Sequence, residues 1–576
     1  MSVKVRAESN YYTTNDDLKF VMETMVDWKK VLEVMEEGDL DTYKMILETA
    51  GKLTGSKFAQ RLSDNDKKGS HFNTSSGKID WAEGFEKTFE EIKEAGLLCL
   101  PIHAQGGPGF PLTISMAVTE MVSRADASCM TKYGLIEGVA EMIERFADEK
   151  LKTEYLPKLI SGEFTASMDL TEAEAGSDLG GVTTRVTEKD GKYYIEGSKV
   201  FITTCDADVH LVLVREGETF KETKGTTKGL SIYLVPQILD GRTNNVSVTK
   251  TEEKLGIKAS ATGGVNYDNA QGFLVGKKGD GMRQMLRLMY GARLGVSAQA
   301  LGIAEAAYQE AKDYAYVRKQ FGSEIVNQPL VLDMLAEMKV HIEAMRALTY
   351  ETSWAIDLSR GYEKKALSGD AAAKGEYDKY NSKSRVLTPL VKYYTSEKCI
   401  EIARKAIQVH GGVGFTKEYL VEQFLRDSII TTIYEGTSEI QASMAVADIL
   451  RGFFATEMQE VKKFLNSLTD DLAPYAEKIK KGSAKMEELI GKLQQEFFTA
   501  GDSYIRLRAK EMSEIVIYLY ASYLLLQQAQ KSSRKKYVAK LYIDKVMPKI
   551  EANVAYIEGM DKSVLQNKDL LFEGRN

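Results

Sequence analysis

Cysteine is scarce in this chain of 576 residues: Cys99, Cys129, Cys205 and Cys399 stand far apart and form no CxxC pair. That leaves neither a disulfide framework nor a zinc site to organise the fold, and it fits a reducing compartment. Proline is sparse as well, nine residues, which leaves room for long helices. No run of about 18 uninterrupted apolar residues occurs, so no membrane-spanning helix is expected. The opening MSVKVRAESNYYTTNDDLKF has no apolar core followed by a cleavage site. An excess of positive charge is missing too: 76 Lys and Arg against 83 Asp and Glu give a net charge of -7, with no general attraction for nucleic acid. The compact basic cluster Lys531, Arg534, Lys535 and Lys536 reads as a solvated helix face. These absences predict a cytoplasmic protein with no integral membrane association and no nucleic-acid partner.

What the chain does have is 43% hydrophobic and 28% charged residues, the balance of a soluble, helix-rich globular protein. Its length exceeds one usual domain and predicts several units, each with its own core. From Asp17 to about Ile160 apolar residues recur at helical spacing, as in WAEGFEKTFEEIKEAGLL, interrupted by the polar LSDNDKKGSHFNTSSGK and the loop PIHAQGGPGFP. Near Ser161 the period falls to two in GKYYIEGSKVFITT, VHLVLVRE, KGLSIYLVP and NNVSVTKT. Helical spacing returns near Gly281, in long segments at 281 to 318, 329 to 360, 385 to 410 and 437 to 454, which suggests a bundle. The polar SRGYEKKALSGDAAAKGEYDKYNSK is read as an excursion from it. The predicted fold is therefore mainly α with an inserted β-domain: an N-terminal helical domain (1–160), a middle β-barrel-like domain (161–280), a four-helix bundle (281–455) and a C-terminal helical extension (456–576).

Four stretches carry chemistry. TTIYEGTSEIQ sets Glu435 beside Gly436, which removes bulk next to the carboxylate, and before Thr437, a residue suited to cap the following helix. QVHGGVGF lets a helix end pass close to a flat or phosphate-bearing ligand. LTEAEAGSDLGG offers the hydroxyls of Thr171 and Ser177 around Gly176. VRKQFG offers a cation, an amide and an aromatic in Arg318, Gln320 and Phe321, a set able to hold an adenine or a pyrophosphate.

In this order and at these separations the four stretches resemble the acyl-CoA dehydrogenase family, over about Asp17 to Phe454. The resemblance implies FAD as cofactor and conversion of an acyl-CoA thioester to a trans-2-enoyl-CoA, by α-proton abstraction and transfer of the β-hydride to flavin N5. IYEGTSEIQ matches the segment that bears the catalytic base in the family's main branch, which makes Glu435 the base; the position used by some branches, near Gly291, Ala292 and Arg293, holds no carboxylate. The resemblance places Thr171, Ser177, Phe201 and Thr203 along the flavin, with phenylalanine at 201 where many members have tryptophan. It places Arg318, Gln320, Phe321, Gln408, Gly412, Thr437 and Glu439 on the dinucleotide half, although the family frequently has glutamine where Glu439 stands. Ser177, Arg293 and Gly436 fall at substrate-binding positions. In the family the enolate is stabilised by a flavin ribityl hydroxyl and the backbone N–H of the base, here Glu435. The extensions at both ends resemble a larger subgroup that includes 3-methylthiopropionyl-CoA dehydrogenases and, more weakly, the very-long-chain enzymes. The apolar EIVIYLYASYLLLQQA within the C-terminal extension reads as a buried core or interface helix. Implied partners are acyl-CoA, an electron-transferring flavoprotein, and a second copy in a homodimer or dimer of dimers. An acyl-CoA oxidase and a flavin-containing nucleic-acid-binding member remain as alternatives.

Overall fold

A computed structural model describes residues 9–36, 38–469 and 471–572; residues 1–8, part of the opening stretch scanned for an export signal, lie outside them. The N-terminal region is helical, with Trp28–Met35 (α1), Leu40–Leu53 (α2), Glu83–Glu94 (α3), Leu112–Ala125 (α4), Ala127–Phe146 (α5) and Glu149–Ile160 (α6). Aspartates start four of these helices, Asp27 accepting from the backbone of Lys30 at 3.1 Å. Asp39 accepts from the backbone of Thr42 at 3.0 Å, Asp126 from Ser128 at 2.9 Å and Asp148 from Leu151 at 2.9 Å. The polar stretch after α2 holds a small hairpin, His71–Asn73 with Lys78–Asp80, turning at Gly77 (φ 69°).

The β-domain comprises Ala166–Asp169 (β1), Arg185–Lys189 (β2), Lys192–Thr203 (β3), Val209–Glu216 (β4), Leu230–Pro236 (β5), Val246–Thr251 (β6) and Thr262–Val275 (β7). β7 pairs with β3, β3 with β2, β2 with β4, β4 with β5, and β5 with β7 again, so five strands close a barrel and leave no free edge among themselves. β6 extends it beside β7, and β1 lies parallel to β4. Alternate residues, among them Val186, Ile195, Val212, Tyr233 and Val265, fill its core. Arg215 is fully buried and donates to the carbonyls of Val182, Thr223, Lys228, Gly180 and Thr226 at 2.7–3.0 Å, which ties the 217–229 loop to the barrel.

The longer remaining helices are Gly281–Val317 (α7), Pro329–Leu367 (α8), Ala373–His410 (α9), Val421–Ile429 (α10), Ser438–Leu450 (α11), Ala455–Ser467 (α12), Ala473–Ala500 (α13), Ala509–Ala529 (α14) and Ser533–Glu558 (α15). The molecule is thus mainly α with an inserted β-barrel. The expected excursion is replaced by helix: α8 and α9 run through the polar segment and meet in a short turn capped by Asp370, which accepts from Ala372 N at 2.9 Å. Tyr362 and Tyr380 stack there, 5.9 Å apart, a contact between helices that the polar composition hid.

The chain divides into two compact units, one of Asp27–Val326 and Cys399–Glu435 with the chain up to Phe20, the other of Val21–Val26, Asn327–Lys398 and Gly436–Asn576. In the first, α7 packs on α4 and α5, and α5 on β1. In the second, α14 is buried among α8, α11, α13 and α15, so EIVIYLYASYLLLQQA is a core helix. The basic cluster differs from its expected solvated face. Arg534 and Lys535 bind the buried Glu343 at 2.6 and 2.7 Å, Lys536 binds Asp471 at 2.9 Å, and Lys535 itself is buried.

Candidate active site

Glu435 is the last residue of the first unit, between α10 and α11 in the chain, with φ 55° at Glu435 and 94° at Gly436. A left-handed glutamate costs about 1–2 kcal/mol, so the surroundings must hold it. The buried Arg293 on α7 directs its guanidinium Nε to the Glu435 carbonyl at 3.5 Å. At Gly436 a Cβ would come 2.6 Å from the end of the Gln441 side chain, and the φ of 94° strains any L side chain there, which favours glycine. The Gly436 carbonyl accepts from Lys392 Nζ at 2.7 Å and Gln441 Nε2 at 3.1 Å within the second unit. Thr437 caps α11 through Ile440 N at 3.5 Å.

Within the first unit Glu435 and Tyr434 line a cavity of about 120 Å³, together with Thr203 at the end of β3 and Met168 of β1. Its apolar walls are Leu112 and Met116 of α4, Met130 of α5, and Leu288 and Val296 of α7. Gly134 and Gly138, one turn apart on α5, make room. A Cβ at Gly138 would already stand 3.4 Å from Leu288, and one at Gly295 of α7 3.2 Å from Met130. Sequence reasoning missed this wall; the paired glycines on α5 opposite a Gly-Ala pair on α7 were the available signal. It also missed two further carboxylates on the cavity, Glu137 and Glu141. Glu137 accepts from Ser115 Oγ at 2.8 Å.

The two flavin-matching segments lie together. Val200 N donates to the Thr171 carbonyl at 2.9 Å, and the buried Lys199 reaches the Leu170 carbonyl at 3.0 Å and Glu172 at 2.9 Å. Burial alone would raise the Glu172 carboxyl, but Lys199 and donors from Thr183 and Thr184 outweigh it and hold it at about 2. Phe201, at φ 60°, turns a ring that is 64% exposed to solvent beside cavity-lining Thr203. Ser177 is exposed, and a Cβ at the neighbouring Gly176 would meet no atom within 4 Å. An open aromatic face next to a hydroxyl and a pliant polar strand suits a flat isoalloxazine, so these residues fit FAD.

Gln320 belongs to a two-residue ladder, Lys319–Gln320 with Ser323–Glu324; Arg318 precedes it, making no ion pair among the described residues, and Phe321, 92% exposed, lies at its turn. Gln408 is exposed near the end of α9, and a Cβ at Gly412 would meet open space. None of these five lines the cavity, nor do Ser177 and Arg293. In the second unit Glu439 binds Lys510 at 2.7 Å, which draws its carboxyl below the ordinary value.

Residues 41–163, 167–270 and 279–450 match the family models described as the acyl-CoA dehydrogenase N-terminal, middle and C-terminal domains. The chain is 36% identical over 451 residues to the 3-methylmercaptopropionyl-CoA dehydrogenase of Ruegeria pomeroyi, covering 74% of each. It is 32% identical over 319 residues to the caffeyl-CoA reductase-Etf complex subunit CarC of Acetobacterium woodii, covering 55% of this chain and 74% of that one. In fold it matches an acyl-CoA dehydrogenase of Bacillus anthracis complexed with FAD, with a TM-score of 0.76 at 24% identity over 93% of this chain and 91% of that one. The chain belongs to the acyl-CoA dehydrogenase family, FAD-dependent oxidoreductases acting on CH–CH groups.

Proposed function

We propose that the protein converts a short-chain acyl-CoA to its trans-2-enoyl-CoA, with Glu435 as the base that takes the α-proton. The observation that carries this is the shared cavity, which Glu435 and Thr203 line together with the apolar walls of α4, α5 and α7, Glu137 and Glu141 standing on it as well. A cavity of about 150 Å³ holds a benzene-sized group, so about 120 Å³ suits an acyl chain of four to six carbons. Bound FAD supplies the hydride acceptor. Thr203 and Phe201 orient it, Arg318 and Gln408 hold its dinucleotide half, and the apolar walls exclude water from the carboxylate. Glu435 accepts the proton on a carboxylate oxygen while its strained backbone keeps that oxygen on the cavity.

Electrons then pass to an electron-transferring flavoprotein, a partner supported by the Etf complex in which the Acetobacterium relative takes its name. The reading includes a homodimer or dimer of dimers in the cytoplasm; no helix among the described residues is long and apolar enough to cross a membrane. Binding of nucleic acid is disfavoured because Arg534, Lys535 and Lys536 are already paired with Glu343 and Asp471. Anaerobic bleaching of the flavin against an acyl-CoA panel tests substrate range, and fast peroxide release in air would mark an oxidase instead.

Glu435→Gln should keep FAD and acyl-CoA binding while flavin reduction falls by about 10²- to 10⁴-fold, and Glu435→Asp should retain part of the rate. Stopped-flow bleaching measures both. A near-wild-type rate in the glutamine variant, with loss in Glu137→Gln or Glu141→Gln, would move the base to the far wall of the cavity.

A further inference from the structure

We infer that Gln299 positions Glu435, acting through the hydroxyl of Tyr434; the inference rests on the reading of Glu435 as the base. Gln299 is fully buried in the small, aliphatic stretch SAQALG of α7, where a polar side chain must be held at both ends. It is: Nε2 donates to the carbonyl of Ala127, the first residue of α5, at 2.9 Å, and Oε1 accepts from the Tyr434 hydroxyl. The direction of the second bond is fixed, since Oε1 carries no proton. Burial and the adjacent Glu435 carboxylate both push the Tyr434 phenol up, so it stays a donor across the working pH range.

The left-handed backbone at Glu435 is therefore gripped by one helix on both sides. Arg293 takes the Glu435 carbonyl, and Gln299, six residues or about 9 Å further along α7, takes the preceding side chain. α7 also carries Leu288 and Val296 of the acyl wall, and α5, where Gln299 is anchored, carries Met130. The carboxylate is thus referenced to the same two helices that hold the acyl chain. Without the Tyr434 contact the torsions around residue 435 are free to relax toward ordinary φ values, which carries the carboxylate away from the α-carbon.

The test uses the FAD-loaded full chain with Gln299→Leu, Tyr434→Phe, the double variant and Gln299→Glu, whose neutral, protonated carboxyl retains an acceptor and a donor. Gln299→Leu and Tyr434→Phe should each slow flavin reduction at saturating butyryl-CoA by about 10- to 100-fold with KM and FAD content little changed. The kinetic isotope effect with 2,2-dideuterated substrate should rise, because α-proton transfer becomes more rate-limiting. The double variant should be no slower than the slower single, and Gln299→Glu should recover most of the rate. A wild-type rate and isotope effect in Tyr434→Phe overturns the inference. So does a Gln299→Leu protein that loses only thermal stability, which reduces Gln299 to a staple between α7 and α5. Glu435→Gln run in parallel separates the two readings: if it stays active, the base assignment fails; if it is inactive while both other singles are normal, only the positioning role fails.

Discussion

Asp427 is buried on α10 and accepts the backbone N–H of Ile257 at 2.6 Å, holding a β-branched residue at φ 45°. Burial raises its carboxyl to about 7; the Ile257 N–H and Arg426 oppose this, and the carboxylates of Asp66 and Asp126 add to it. The unfolded chain gives up that proton near 3.8, so between about 3.8 and 7 the folded state binds the extra proton and stability falls as pH rises through that window. Asp427→Asn keeps an acceptor for Ile257 and removes the charge. Its thermal midpoint relative to the wild type should therefore be more favourable at pH 8 than at pH 4, measured by scanning calorimetry; an equal difference at both pH values would show that Asp427 ionises as an ordinary aspartate. Asp427 and Gln299 share a reason for escaping sequence reading. Each is an isolated polar residue on a helix, and its importance lies in a partner more than a hundred positions away, Ile257 for one and Tyr434 for the other. Glu435, in contrast, lay in a contiguous motif with Gly436 and a capping threonine, and those local neighbours made it visible.

Elements show the same split between local and distant causes. β3, β4, β5 and β6 were legible because their alternation is local, but β7, which contains Gly263, Gly264 and Gly272, was not among the strands read from it. A Cβ at Gly263 would come 2.0 Å from the Lys250 carbonyl, so the glycine marks close strand approach beside a bulge in β6, a demand set by the neighbouring strand. Helix glycines divide the same way. At Gly302 of α7 a Cβ would come 2.4 Å from the Glu120 carbonyl of α4, whereas at Gly491 of α13 it would meet nothing within 4 Å. Gly302→Ala should destabilise by about 1–3 kcal/mol through overpacking of two helices that line the acyl cavity. Gly491→Ala should stabilise by about 0.5–1 kcal/mol, because only helix propensity changes. Urea midpoints of the two variants decide this: shifts in the same direction would mean that backbone contact at Gly302 is not limiting.

For the molecule as a whole, the C-terminal extension is where composition was least informative. Its apolar helix declared itself, but the basic cluster did not reveal that Arg534 and Lys535 are ion-paired to a residue 191 and 192 positions earlier, since Glu343 sits within another long helix, α8. The extension completes the core of the second unit. α14 covers α8 and α11, Tyr520 donates to Glu457 at 2.7 Å, and Lys383 of α9 binds Glu351 at 2.5 Å and Glu457 at 3.0 Å. Burial opposes the charge on Lys383, but the two carboxylates outweigh it and hold the ammonium well above its ordinary value. Ending the chain after Thr456 would strip the apolar covering from α8 and α11, leave Glu343 without Arg534 and Lys535, and remove one of the two carboxylates at Lys383. Glu343 would keep only Lys339, at 3.4 Å, and breaking buried pairs of this kind costs about 3–5 kcal/mol, comparable to much of a domain's net stability. The truncated protein should therefore aggregate or lose its native subunit number, read by soluble yield and by light scattering after gel filtration. Glu343→Gln in the full chain should lose stability while remaining soluble, because the α14 covering stays in place. A soluble truncation with the native subunit number and full flavin reduction would show that α8, α9 and α11 keep their fold without the extension.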